Sequence, residues 1–212
     1  VQGAIDGSRQ EQGDMKMALG AGLAAMAFLA GSVAHAQKMP KSVMVSMETS
    51  DARDAGRILL IGGKNGIQFE VKLQNLVPGE HGIHVHQNPS CDAPSFKTAG
   101  GHFNPDGKEH GYDNPKGHHA GDIPLNLHVG DDGMVKQTFF VKGLTLDPKA
   151  ANSVFANGGT SIIIHQGPDD MKTDPSGNSG AREACGIVSP AHASLGVMSF
   201  DSTASHVGAS NE

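Results

Sequence analysis

The sequence predicts an all-β domain, a sandwich or barrel interrupted by two long functional loops, and three observations predict it. Apolar residues recur at every second position in several short runs, which is the period of a strand. Twenty-nine glycines and eleven prolines supply turns for many chain reversals. No stretch after residue 37 sustains the 3.6-residue period of an amphipathic helix.

Residues 1–14 precede the first methionine and are polar, and they read as an upstream extension that is not native. Residues 15–36 read as an export signal, with Lys16 as the basic start, Ala18 to Val33 as the apolar stretch and Ala34-His35-Ala36 as a small-x-small cleavage site. A membrane anchor is the weaker reading, because about 16 residues rich in Ala and Gly are too few to span well. Removal of the signal would leave the protein free of the membrane, in the periplasm or secreted. The domain is then residues 37–190, and the Ser-, Ala- and Gly-rich residues 191–212 read as a flexible tail.

Within the domain, Val43, Val45 and Met47 alternate with Met44 and Ser46 as a half-buried strand. Arg57 to Ile61 and Ile67 to Leu73 flank Gly62-Gly63-Lys64-Asn65-Gly66 and read as a hairpin with Asn-Gly turn chemistry. Further strands are expected at Gly82 to His86, at Met134 to Val141 after the Asp131-Asp132-Gly133 turn, at Ser161 to His165, and at Ile187-Val188. The loops Gln87 to Pro124 and Gln166 to Ala184 separate them. Connections this long inside a domain are usually functional. The core must be built from Val, Ile, Leu, Met and eight Phe, since there is no Trp and one Tyr. A net charge of −6 argues against nucleic acid and against an acidic membrane surface as partners.

Cys91 and Cys185 are the only cysteines. An even count in an exported chain points to a disulfide, with two buried free thiols as the alternative. Closing a loop of almost a hundred residues is worth about 4–5 kcal/mol in the chain-entropy model.

Six histidines and two aspartates fall in four islands around Gly82-Ile83-His84-Val85-His86, Gly101-His102, His110 with His119-Ala120-Gly121-Asp122, and His165 with Asp169. That is more than one metal needs and about what two adjacent metals need. Residues i and i+2 of a strand project to one face, so His84 and His86 are offered together while Ile83 and Val85 face a core. His110, His119 and Asp122 are spaced as loop ligands, and one further imidazole would complete a tetrahedral zinc set. His84, His86 and His165 would form a copper set with the same shared imidazole. An imidazole has two ring nitrogens and can serve both, and His102 is the candidate. His118 adjoins His119, but the His-Ala-Gly-Asp spacing favours His119. His81 and His128 match no ligand role and read as polar surface or hydrogen-bonded loop histidines.

These motifs, with Gly101-His102-Phe103-Asn104-Pro105 and the run Lys172 to Gly186, resemble the copper/zinc superoxide dismutase family over about Val43 to Val188. The resemblance implies an eight-stranded Greek-key barrel, superoxide as substrate, and copper and zinc as cofactors; it also allows a homodimer. It implies copper on His84, His86, His102 and His165 and zinc on His102, His110, His119 and Asp122. Asp169 would orient one imidazole of each set, and Arg182 would dock the anion beside the shared His102. Three departures stand out, one of them a tail after Val188 that is longer than the family's. Glu183 puts a carboxylate where the family has an apolar residue, either turned away or competing with the anion, and the segment Asp122 to His128 carries one residue more, assigned to Leu125. With only Lys172 and Arg182 as cations in the second loop, steering of an anion is expected to be weak. Two rival readings are a zinc hydrolase, which would need a spare carboxylate base that the islands lack, and a non-catalytic copper-delivery module, which should lack part of this set.

Overall fold

The structure is a computed structural model and describes residues 39–200; the expected extension and export signal lie outside the described residues. Eight antiparallel strands make a nearly closed barrel: β1 (Ser42–Thr49), β2 (Asp54–Gly62), β3 (Gly66–Leu73), β4 (Gly79–His86), β5 (Asp122–Val129), β6 (Val135–Lys142), β7 (Thr160–His165) and β8 (Arg182–Val188). Their order in space is β5-β4-β7-β8-β1-β2-β3-β6. β3 therefore crosses to a β4 that pairs with β7 rather than with β3, and β6 crosses back to β7. β5 and β6 stand at the two ends of this order, joined by the Asp131–Gly133 turn and packed on one another.

The alternation read from β3 is the one observed. Ile67, Phe69, Val71 and Leu73 are buried while Gln68, Glu70 and Lys72 are not. The β2–β3 hairpin pairs Gly62 with Ile67, and Gly63 N–H donates to Gly66 O at its turn. Inward residues of all eight strands form one core, including Val45, Ile58, Leu60, Phe69, Val85 and Ile164. Each such fully buried side chain is worth roughly 1.5–3 kcal/mol. A second, small cluster of Phe96, Ala99, Ile163 and Cys185 lies under the first long loop and anchors it to β7 and β8.

Two expectations need correcting. The first loop ends at Gly121, because Asp122–Val129 is a strand that the sequence reading did not recognise. Pro124 disguised it: proline cannot donate to a ladder but is tolerated on an edge strand, and β5 occupies one end of the strand order. The pairing with β4 jumps from Gly82–Asn126 to His84–Asp122, four residues along β5 against two along β4, so the ladder is irregular around Ile123, Pro124 and Leu125. The second loop likewise ends at Ala181, and Arg182 begins β8 instead of sitting in the loop. Of the expected tail, 191–200 is described. A 3-10 turn at Pro190–His192 is followed by β9 (Ala193–Ser194), which pairs with β1, and the Phe200 ring lies 4.1 Å from Lys72 Nζ.

Candidate metal centre

The barrel delivers the histidines from strands and loop ends that meet at one rim. β4 contributes His84 and His86, and β7, paired to it through Ile83–Ile164, ends in His165. His102 faces His86 in an isolated bridge, held there because Phe103 N–H donates to Val85 O and Val85 N–H to Gly121 O. The second long loop crosses β4 at Gly82, whose N–H donates to Gly167 O. A methyl group added there would stand 3.1 Å from Ser179 Cβ and 3.3 Å from Asp169 Cβ, so any side chain would push these neighbours back by a few tenths of an ångström.

Two four-residue groups result, each with its ligand atoms within 4.8 Å of one another: His84, His86, His102 and His165, and His102, His110, His119 and Asp122. All are buried, and His102 belongs to both. In the second group Asp122 is the hub. Its Oδ1 lies 2.8, 2.9 and 3.1 Å from Nδ1 of His102, His110 and His119, and its Oδ2 accepts from Gly111 N–H and His119 N–H. In the first group the opposite holds. His84 Nδ1, His86 Nε2, His102 Nε2 and His165 Nε2 are buried and have no hydrogen-bond partner among the described residues. Buried polar atoms are rarely left so, and four converging lone-pair donors are what a cation fits. The remaining nitrogens of these rings are held from behind: His84 Nε2 by Asp169 Oδ2 at 2.7 Å, His86 Nδ1 by Gly100 O at 2.9 Å, and His165 Nδ1 by Gly180 O at 3.2 Å.

Asp169 joins the groups, since its other oxygen lies 3.0 Å from His110 Nε2. It is itself clasped by Asn126, which accepts from its N–H and donates to its carbonyl. Gly177 packs so closely on the Asp169 carboxylate that a Cβ would collide with it. Asn126 and Gly177 were missed in the sequence. Asn126 had one available signal, a polar residue between Leu125 and Leu127, but its strand was not recognised.

Burial dominates the titration of the first group. It lowers His102 to about 4 and His165 to about 3, and pushes His84 below and His86 well below the usual imidazole range, in His86 helped by the charge of His102. Burial thus keeps these rings neutral, the form that binds a metal. In the second group burial is outweighed by hydrogen bonds. The contacts with Asp122 and Asp169 raise His110 to about 9. Burial opposes ionisation of both carboxylates, yet the imidazoles of His102, His110 and His119 hold Asp122, and those of His110 and His84 hold Asp169, well below the carboxylate range.

Arg182 lines the open cavity over His86, His102 and His165 and donates to Phe96 O and Gly100 O. The loop carrying those carbonyls is closed by the Cys91–Cys185 disulfide, which spans 94 residues. His118 stays outside both groups and stacks on Tyr112, and the exposed His128 pairs with Glu80. Glu183 is turned away from the cavity. Its Oε1 accepts from Val77 N–H at 2.6 Å and its Oε2 lies 3.2 Å from His81 Nδ1. His81 places Nδ1 and Nε2 each 2.7 Å from a carbonyl, of His165 and of Val77. Carbonyls only accept, so each of these contacts calls for an N–H on the ring, and the Glu183 contact, opposed by burial, raises its pKa in the direction that favours this.

Residues 54–188 match the family model described as copper/zinc superoxide dismutase. Copper-zinc superoxide dismutase 1 of Aquifex aeolicus is 46% identical over 134 residues, covering 63% of this chain and 79% of that protein. A superoxide dismutase-like protein of Bacillus subtilis with a crystal structure superposes with a TM-score of 0.66 at 38% identity, over 68% of this chain and 97% of that one. Cu/Zn superoxide dismutase of Brucella abortus gives a TM-score of 0.55 at 30% identity, over 69% and 99%. With the barrel, the disulfide and the paired histidine groups already described, these matches show that the chain belongs to the copper/zinc superoxide dismutase family.

Proposed function

We propose that the protein is a superoxide dismutase that converts two superoxide anions and two protons to dioxygen and hydrogen peroxide. The family's cofactors are copper and zinc. We assign copper to His84, His86, His102 and His165, and zinc to His102, His110, His119 and Asp122. The observation that carries the reading is the set of four buried, unpartnered imidazole nitrogens aimed at one another. When bound, copper supplies a reversible one-electron couple and zinc a fixed positive charge.

The chain's own residues do the rest. His102 turns Nδ1 to Asp122 and the zinc set, and Nε2 to the other three rings. Its Nε2 is the atom that can take up a proton and give it to the product, while the Nδ1 side keeps the ring in place. Asp169 sets the orientation of His84 and His110 through one carboxylate, so a shift in either set is felt by the other. Arg182 guides the anion with a fixed guanidinium, held by two backbone carbonyls so that it loses little freedom on binding. Glu183, committed to Val77 and His81, does not oppose it. The disulfide supports an oxidising location, and we infer export to the periplasm or the exterior. Among the described residues no helix is long and apolar enough to cross a membrane.

The test is metal analysis and copper spin resonance of the loaded protein beside a superoxide-consumption assay. One copper in a four-nitrogen field, one zinc and rapid consumption are expected. Copper uptake without turnover would replace this reading with a copper-holding module on the same fold; one curated relative of Bacillus subtilis, 44% identical over 124 residues, is named only superoxide dismutase-like.

A further inference from the structure

We propose that Glu183 is a positioning residue for His165, acting through the ring of His81; the inference rests on the copper assignment above. Among the four imidazoles of that set, His165 has the longest hydrogen bond behind it. His84 is backed at 2.7 Å by Asp169, His86 at 2.9 Å by Gly100 O and His102 at 2.8 Å by Asp122, whereas His165 Nδ1 meets Gly180 O at 3.2 Å. The β7–β8 register also shifts between Ile164 and His165, so the strand ladder holds His165 less regularly than its neighbours. The orientation of that ring therefore depends on what fixes its backbone.

His81 does so. Its ring is 1% exposed and bridges His165 O to Val77 O. Glu183 braces the bridge from the far side, with Oε1 accepting from Val77 N–H and Oε2 making a 3.2 Å charge contact, not a hydrogen bond, with His81 Nδ1. Val77 is thus held by both its N–H and its C=O although its side chain faces solvent. The Glu183–His81 pair ties the β3–β4 connection, β4, the end of β7 and the start of β8 into one joint directly behind His165. Burying a carboxylate is unfavourable unless such partners recover the loss of hydration. An apolar side chain at 183 would leave Val77 N–H without an acceptor and the His81 ring without a brace. The residue next to the anion-guiding arginine thus works on the other side of β8, on the geometry of one copper ligand.

The experiment uses the full chain loaded with copper and zinc, as wild type, Glu183→Leu and Glu183→Gln. Copper spin resonance, copper affinity by chelator competition, zinc affinity and the metal-free melting temperature are measured. Glu183→Leu is expected to change the copper hyperfine splitting and weaken copper roughly tenfold, the lower end for loss of an outer partner, with zinc affinity unchanged. Glu183→Gln keeps an acceptor for Val77 N–H and should recover most of the wild-type signature. A folded Glu183→Leu with wild-type spectrum and copper affinity overturns the proposal, as does equal weakening of copper and zinc. If Glu183→Leu does not fold, His81→Gln decides by the same spectrum: a changed copper signature with zinc affinity unchanged supports the proposal, and a wild-type signature overturns it. Failure of the wild type itself to show four-nitrogen copper would instead remove the copper assignment, so the two failures are distinct.

Discussion

On the Nδ1 side of His102 three imidazoles are carried by a loop and knitted together by one carboxylate, that of Asp122 at the start of β5. On the Nε2 side the ligand set is carried mainly by strands, and each imidazole turns an unpartnered nitrogen toward the others. Asp122 gives the first set a web of hydrogen bonds from three rings and two backbone N–H groups. The second set has no such web, because four neutral rings offer each other lone pairs only, and burial resists the protons that would let them bond. The contrast teaches that a loop needs a charge at its centre to hold a ligand geometry. Strands hold theirs through the ladder and can tolerate unpartnered lone pairs until a cation arrives.

The largest effect should come from His86→Ala. It removes a strand-borne ligand while leaving the Asp122 web intact, so activity should fall by more than the roughly 10–100-fold typical of losing an outer partner. Zinc content and metal-free melting should stay near wild type; a collapse of zinc binding in this variant would break the separation of the two sides. Asp122→Ala attacks the other side. Leaving the rings and two N–H groups without their acceptor should destabilise the metal-free protein by about 3–5 kcal/mol, the range for breaking a buried pair. Chemical denaturation of the metal-free form measures it, and a loss below about 1 kcal/mol would mean that the web does not hold the loop.

Arg182→Ala sharpens the comparison because Arg182 is a ligand of neither set and reaches them only through Gly100 O, the carbonyl that also backs His86. Losing charge-assisted hydrogen bonds worth about 1.5–3 kcal/mol each should slow superoxide consumption roughly ten- to hundred-fold with both metals in place. Unchanged activity would remove Arg182 from anion guidance. The smallest effect is on pH dependence of the metal-free protein. His84, His86, His102 and His165 have folded values below 6.5, so below that pH the unfolded chain binds protons that the folded one refuses, and stability falls as pH falls. Asp122 and Asp169 add to the acid loss, their contribution being complete above about 3.9 and lost below it. His110, raised to about 9, and His81, also raised, contribute fully below 6.5; the His110 part is lost as pH climbs through about 9. The melting temperature should therefore peak near pH 6.5 and fall more steeply on the acid side. A steeper fall on the alkaline side would mean that the Asp122 web, not the burial of the strand-borne rings, dominates.

Much of the barrel was legible because strand alternation is local. Ile67 to Leu73 announces its buried face without reference to any other strand, and the Asn65-Gly66 turn announces its hairpin. β5 was not legible, since Pro124 and the irregular ladder around it break the alternation, and only the neighbouring β4 shows that the segment pairs. At the site, His84 and His86 followed from i, i+2 spacing, while the start of β8 at Arg182 did not, because its polar opening resembles a loop.

From the order of its residues alone the chain determines an all-β fold, two cysteines fit to pair, and which histidines come in ligand-like spacings. These properties depend on neighbours within a few positions or on counting. Tertiary structure decided that His102 presents one nitrogen to each group, that Asn126 and Gly177 hold Asp169, and that Glu183 turns from the anion toward His81. The physical reason is distance along the chain: residues 81, 165 and 183 meet only when β4, β7 and β8 lie side by side, and no local period encodes which loop crosses which strand.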